Sequence, residues 1–214
     1  MHPSERAPVD IPEICLRRID ALLSQGGRRI LGIAAPPGAG KSTLAAALAR
    51  HLDALVQVVP MDGFHLANSE LQRLGRHTRK GAADTFDGAG FVDLMRRIKS
   101  QPATERIYAP EFRRELEEAI AGAIAVDATT PLVITEGNYL LLDDAPWRSL
   151  RAVLDEVWYL DVDEGLRHQR LLERHMRFGR SQQEALEWIA QTDEPNAVRI
   201  AAQRHRADLC VRWD

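Results

Sequence analysis

The stretch Ile30-Leu31-Gly32-Ile33-Ala34-Ala35-Pro36-Pro37-Gly38-Ala39-Gly40-Lys41-Ser42-Thr43-Leu44 constrains this chain more than any other. Its Ile- and Leu-rich start reads as a buried strand. The following turn holds two prolines and two glycines and continues neither strand nor helix. Gly40-Lys41-Ser42-Thr43 then opens an Ala/Leu-rich helical stretch that runs to about Arg50. Strand, loop and helix in that order make an anion cradle. Glycines let backbone N–H groups turn toward phosphate oxygens, and the helix N-terminus adds partial positive charge. The Lys41 ammonium reaches the outer phosphates, and the Ser42 hydroxyl can ligate Mg²⁺. Residues Pro37, Gly38, Ala39, Gly40, Lys41, Ser42 and Thr43 are therefore expected to hold nucleotide phosphates. Ala35 stands where the pattern G-x-x-x-x-G-K-[ST] has its first glycine, and a Cβ there mildly disfavours a left-handed backbone.

The rest of the chain supplies partners for this unit. Residues 1–10 read as a loose lead-in. Ile14, Ile19, Leu22 and Leu23 suit an amphipathic helix from Ile11, ended by Gly26-Gly27. Apolar, β-branched runs at 54–61, 132–137, 156–161 and 209–213 read as four further strands, with helices at 91–99, 163–178, 181–192 and 195–207. A hairpin is expected from 107–112 and 123–126, and the charged stretch 66–90 reads as a long functional loop. Strands alternating with helices imply a parallel sheet covered on both faces.

Two of the strands run into acids. Asp62 follows the second and Glu136 lies in the third, at the carboxyl ends where open α/β sheets place their chemistry. Asp62 can take the proton of an attacking hydroxyl, bind Mg²⁺ or cap a turn; Glu136 has the same metal-side, base or turn readings. Arg167, Arg170, Arg174 and Arg177 recur at helical spacing, so they share a face that serves either as a lid over phosphates or as a solvated surface. The basic run 76–80 suits an anionic or polyhydroxylated ligand.

Composition narrows the classes. Lys+Arg 28 against Asp+Glu 31 leaves a formal charge of −3, which argues against nucleic acid as partner. Cys15 and Cys210 show neither metal-ligand nor disulfide spacing and suit a reducing compartment as small buried hydrophobes. The four tryptophans read as packing. There is no apolar leader and no membrane span, so a cytoplasmic location is expected.

Several segments in order resemble the P-loop kinase family that contains uridine kinase, bacterial pantothenate kinase and phosphoribulokinase. They are the phosphate loop, Met61-Asp62-Gly63-Phe64-His65, Arg79 through Asp87, Tyr108-Ala109-Pro110, Glu136-Gly137-Asn138-Tyr139-Leu140-Leu141, and Pro195-Asn196-Ala197. Within that family the chain is similar to a bacterial fructose-transport-system kinase subgroup. The resemblance implies one α/β domain over 1–214. It implies a three-layer P-loop NTPase fold with a mostly parallel five-stranded sheet, an acceptor-side insertion at about 66–126 and a helical lid at about 163–182. It implies an ATP- and Mg²⁺-dependent transfer to a small-molecule hydroxyl, a sugar first, with uridine or pantothenate as alternatives. A nucleotide-dependent switch without an acceptor is the reading from another class. Asp62, Lys41, Glu136, Arg170 and Arg174 would be catalytic, and Asn196 would join the phosphate loop at the nucleotide. His65, Lys80, Phe86, Tyr108 and Tyr139, with Asp62 and Glu136, would contact the acceptor. Ser42, Asp62 and Glu136 would hold the metal. Relatives of this kind form dimers and tetramers, so a homodimer is one assembly allowed. Ala35, Asp84 and Arg113 depart from the family pattern, the last on the acceptor side.

Overall fold

A computed structural model describes residues 10–213. Of the expected lead-in, residues 1–9 lie outside the described part. Helix α1 (Glu13–Ser24) precedes β1 (Arg29–Ala34), and α2 (Lys41–Leu52) follows the phosphate loop. Four more strands, β2 (Val56–Val58), β5 (Leu132–Gly137), β6 (Glu156–Asp161) and β7 (Leu209–Arg212), complete a sheet in the order β2-β5-β1-β6-β7. All its pairings are parallel, and β1 lies at the centre with Leu31 beside both Ile134 and Glu156. A two-stranded antiparallel hairpin, β3 (Ile107–Arg113) and β4 (Glu118–Val126), stands apart from it.

Strand alternation divides the core into two layers. Ile30, Val133, Val157 and Tyr159 face one side, with Phe91 and Met95 of α4 (Gly88–Lys99) and with Trp147. Leu31, Ile33, Ile134, Trp158 and Leu160 face the other, against Ile19 of α1 and Leu44 and Leu48 of α2. Each such side chain, fully buried, contributes about 1.5–3 kcal/mol. Asp155, just ahead of β6, ties the lower edge together. Its carboxylate accepts from the Ile30 N–H at 2.7 Å and pairs with Arg29 and Lys99.

Some expected boundaries move. The second strand is short because Asp53–Leu55 form a 3₁₀ turn after Asp53 takes a positive φ of 48°, and because Pro60 has no N–H to donate. The stretch 66–90 is not simply loop: it contains α3 (Asn68–Arg73), two 3₁₀ turns and the first turn of α4. After α5 (Glu164–Arg177), helix α6 (Gln182–Trp188) runs through a π turn at Ile189–Asp193 into α7 (Glu194–Ala201). That last helix ends six residues before the expected 207, leaving only a 3₁₀ turn at Arg204–Arg206. Cys15 is buried, and burial pushes its thiol up to about 11, as a core hydrophobe requires. Cys210 is exposed instead, because its side chain points off the edge strand β7. Among the described residues, no helix is long and apolar enough to cross a membrane.

Candidate active site

The phosphate loop leaves β1 at the middle of the sheet and turns through Gly38 (φ 83°) and Gly40 (φ 88°) before α2 begins. Both glycines are required by space as well as by backbone. A Cβ on Gly38 would stand 2.7 Å from Leu171 of α5, and one on Gly40 would stand 2.7 Å from the Trp213 indole nitrogen. Ala35, by contrast, is not among the positive-φ residues, so its Cβ carries no left-handed strain. The Lys41 ammonium donates to the carbonyls of Ala35 (3.0 Å) and Pro36 (3.1 Å) and to Asn138 Oδ1 (2.7 Å). Burial pulls its pKa down to about 8, although Glu136 and Asp62 favour its charged form.

Neighbouring strand ends bring the acids to this loop. Ser42 Oγ donates to Glu136 Oε1 at 2.8 Å. Glu136 is buried, and desolvation with the adjacent Asp62 charge raises its pKa above the ordinary carboxyl value. Gly137 lets β5 approach the next segment, since a Cβ there would meet Met61 Cβ at 2.6 Å. Asp62 sits in a 3₁₀ turn, Met61–Phe64, immediately after the second strand. Lys41, Ser42, Asp62 and Glu136 thus face one cavity of about 630 Å³.

The opposite wall comes from the hairpin and from 66–90. His65 Nδ1 donates to the Asp62 carbonyl at 2.8 Å, which leaves Nε2 as an acceptor; burial lowers the ring's pKa and keeps it neutral. Its ring lies against Phe86 (4.0 Å between centroids) and Phe112 (4.6 Å). Lys80 donates to Asn68 Oδ1 and the Glu117 carbonyl and lies 5.0 Å from the Phe112 ring centre. Arg114, at the hairpin tip, reaches Asp62 Oδ2 at 3.3 Å. A third wall comes from the end of α5 and the helices after it, where Arg174 of α5 faces the cavity. There His175 Nε2 bonds Asp193 at 2.8 Å, and the Arg180 guanidinium stacks 3.7 Å from the Trp188 ring centre.

Most residues expected at the site therefore converge, Asn196, Lys80, His65 and Phe86 included. Seven are not among the residues lining the cavity: Gly38, Ala39 and Gly40 lie within the loop between Pro37 and Lys41, Arg170 sits beside Gly40, and the other three are Tyr108, Tyr139 and Thr43. Tyr108 is 55 % exposed on β3, because side chains alternate along a strand and its own points away. Tyr139 is fully buried, its hydroxyl donating to the Gly81 carbonyl, so it supports the wall from behind. Thr43 is exposed on the first turn of α2 and faces elsewhere. The four arginines of α5 also divide. Arg167 is buried against Glu194 (2.6 Å), Arg170 lies beside Gly40, Arg174 faces the cavity, and Arg177 is exposed.

Among the described residues, Arg167 Nη1 and Arg170 Nη1 are buried without a hydrogen-bond partner, and they belong to side chains next to Gly38 and Gly40. Orphaned cationic donors beside a cradle of left-handed glycines fit phosphate. The Ser42 hydroxyl and the Glu136 carboxylate, in contact, are oxygen donors of the kind Mg²⁺ takes.

Sequence reasoning missed Asn138, Arg114, Arg180 and Trp188 as cavity residues. Asn138 directly follows Glu136-Gly137 at a strand end, which was a usable signal. Arg113, singled out in its place, pairs with Glu111 (2.8 Å) on the outer side of the hairpin, one residue away from Arg114. Trp188 was read as packing, yet it lines the cavity under Arg180.

The family model described as "Phosphoribulokinase / Uridine kinase family" matches residues 30–213. The YggC protein of Escherichia coli (strain K12) is 35% identical over 189 residues, covering 86% of this chain and 77% of that protein. "Putative uridine kinase C227.14" of Schizosaccharomyces pombe is 34% identical over 220 residues, covering 95% of this chain and 93% of that one. Among solved structures, a "putative fructose transport system kinase from Silicibacter sp. TM1040" superimposes with a TM-score of 0.85 at 38% identity, covering 94% of this chain and all (100%) of that one.

Proposed function

The chain belongs to the phosphoribulokinase/uridine kinase family of small-molecule kinases, and from that premise we propose that it transfers the γ-phosphoryl group of ATP to a hydroxyl of a small metabolite, a sugar being the first candidate. The observation that carries this reading is that Asp62 opens onto the same cavity as Lys41 and Ser42. A base and a phosphate-holding group on one cavity meet the needs of phosphoryl transfer, which asks for positioning and charge neutralisation more than for covalent chemistry.

In this reading the loop amides and Lys41 hold the β- and γ-phosphates, with Arg170 and Arg174 adding positive charge as the lid closes. Asn196 approaches the base of the nucleotide. Ser42 and Glu136, with Asp62 nearby, would hold Mg²⁺, which supplies charge neutralisation on the phosphates. Asp62 accepts the proton of the acceptor hydroxyl. His65, Lys80 and Phe86 shape the acceptor's side, with the lid excluding water that would otherwise take the phosphoryl group.

Coupled ADP release with Mg-ATP, run against a panel of sugars, nucleosides and vitamin alcohols, tests this. Acceptor-dependent turnover lost in Lys41→Ala, and lowered about 10²–10⁴-fold in Asp62→Asn, is the expected result. Full turnover in folded Asp62→Asn would remove Asp62 as the base. Tight ATP binding with no acceptor-stimulated turnover would turn the reading toward a nucleotide switch.

A further inference from the structure

The tip of the β3–β4 hairpin enters the cavity with two residues, Arg114 and Glu117. Glu117 is fixed, because its carbonyl accepts from both Lys80 Nζ and Asn68 Nδ2. Arg114 is held loosely. Among the described residues its one hydrogen bond is the single 3.3 Å contact to Asp62 Oδ2, and its side chain is 41 % exposed. Across the cavity, no described residue is a hydrogen-bond or ion-pair partner of the Arg174 side chain. Burial, and then the charge of Arg114 itself, hold the Arg174 guanidinium below its ordinary pKa, so the two cations act on one another from opposite walls.

A neutral polyol leaves Arg114 where it is. An acceptor with its own anionic group offers that guanidinium a bidentate partner that a 3.3 Å single contact does not match.

We propose that the acceptor carries a carboxylate or phosphate group beside its reacting hydroxyl, and that Arg114 binds this group. In binding it, Arg114 gives up its single contact with Asp62. Arg114 is thus a specificity-determining residue. The inference rests on the kinase reading for the identity of the site, although its anion-binding claim can be tested without turnover.

Equilibrium binding is measured with Mg²⁺ and the β,γ-imido analogue of ATP present, so that the nucleotide phosphate positions are filled. The probes are matched pairs, fructose with fructose 6-phosphate and glucose with gluconate, plus inorganic phosphate. Wild type is compared with Arg114→Gln and Arg114→Lys, each checked by thermal melting. The charged member of at least one pair is expected to bind about ten- to a hundredfold tighter than its neutral partner. That preference disappears in Arg114→Gln and returns in part in Arg114→Lys. The phosphate ester and the sugar acid, compared with each other, show which anion the site takes. Equal binding of charged and neutral members overturns the proposal, as does a preference that survives Arg114→Gln, or the absence of Arg114-dependent binding of any anion, inorganic phosphate included. Arg114-dependent anion binding in a protein that phosphorylates nothing would instead overturn the kinase reading and leave the subsite standing. Turnover of a neutral sugar without charge preference would do the reverse.

Discussion

Ser42 and Glu136 are joined by a 2.8 Å hydrogen bond that links the first turn of α2 to the end of β5. The hydroxyl proton is committed to the carboxylate, so the free lone pairs of both groups are left for a cation. Replacing Glu136 with Gln keeps the shape and removes the charge. The Mg²⁺ concentration for half-maximal turnover is expected to rise at least about tenfold, in line with the loss of a metal-site carboxylate. Metal-free nucleotide binding should be unchanged or tighter, because a negative charge near the phosphates is gone. A Mg²⁺ titration of wild type and Glu136→Gln decides it.

Lys41, with a pKa drawn down to about 8, makes nucleotide binding sensitive to mild alkali. The group is charged below that value and neutral above it. Affinity for ATP should therefore be flat from pH 6 to 7 and fall as pH rises through about 8, approaching tenfold per pH unit above it. Fluorescence titration with a labelled nucleotide over that range checks the sign and the midpoint. Arg replacing Lys41 would remove the dependence, whatever it does to affinity.

Asp155 predicts how the fold responds to acid. Burial would raise its pKa, but the hydrogen bond from Lys99, the Ile30 N–H and Arg29 outweigh that and hold it below the usual value. A carboxylate with a depressed folded pKa stabilises the protein above its unfolded value, near 4, and that contribution is lost as pH falls through the folded one. Asp155→Asn should lower stability by about 1.5–3 kcal/mol at pH 7. The gap to wild type should close as the denaturation midpoint is followed below pH 4.

Gly63 is the point where the β3–β4 hairpin touches the turn that carries Asp62. A Cβ there would lie 2.3 Å from the Pro110 carbonyl oxygen, a backbone atom that cannot swing aside. Gly63→Ala is expected to displace the hairpin and to destabilise the protein by about 1–3 kcal/mol. Acceptor KM should rise while nucleotide affinity holds. Unchanged melting and unchanged KM together would show that the hairpin yields freely.

What could be read in the sequence was what local pattern encodes. The phosphate loop, the acids at two strand ends and the alternation of strands with helices each depend on neighbours within a few residues. Asn196, Lys80 and Phe86 were placed by their motifs. What could not be read depends on contacts distant in sequence. Arg114 rather than Arg113 reaches Asp62 because the hairpin register makes Arg113 the last paired residue, opposite Glu118. Tyr108 points away for the same reason of strand alternation. Helix α3 is too short to hold itself, and its first residue is secured by the Glu118 carboxylate fifty positions on. Trp188 enters the cavity only because α6 continues through a π turn instead of breaking.

Trp213 against Gly40 carries a consequence for biosynthesis. The turn that cradles phosphate is translated early, but the side chain packed on it follows β7, and both strands flanking β1 are also translated after it. At ordinary ribosomal speeds the loop waits about ten to thirty seconds for the pieces that complete it. One edge of β1 stays open until β5 is made and the other until β6, and Gly40 waits longer still for Trp213. The risk of wrong pairing falls on the central strand while those edges are open.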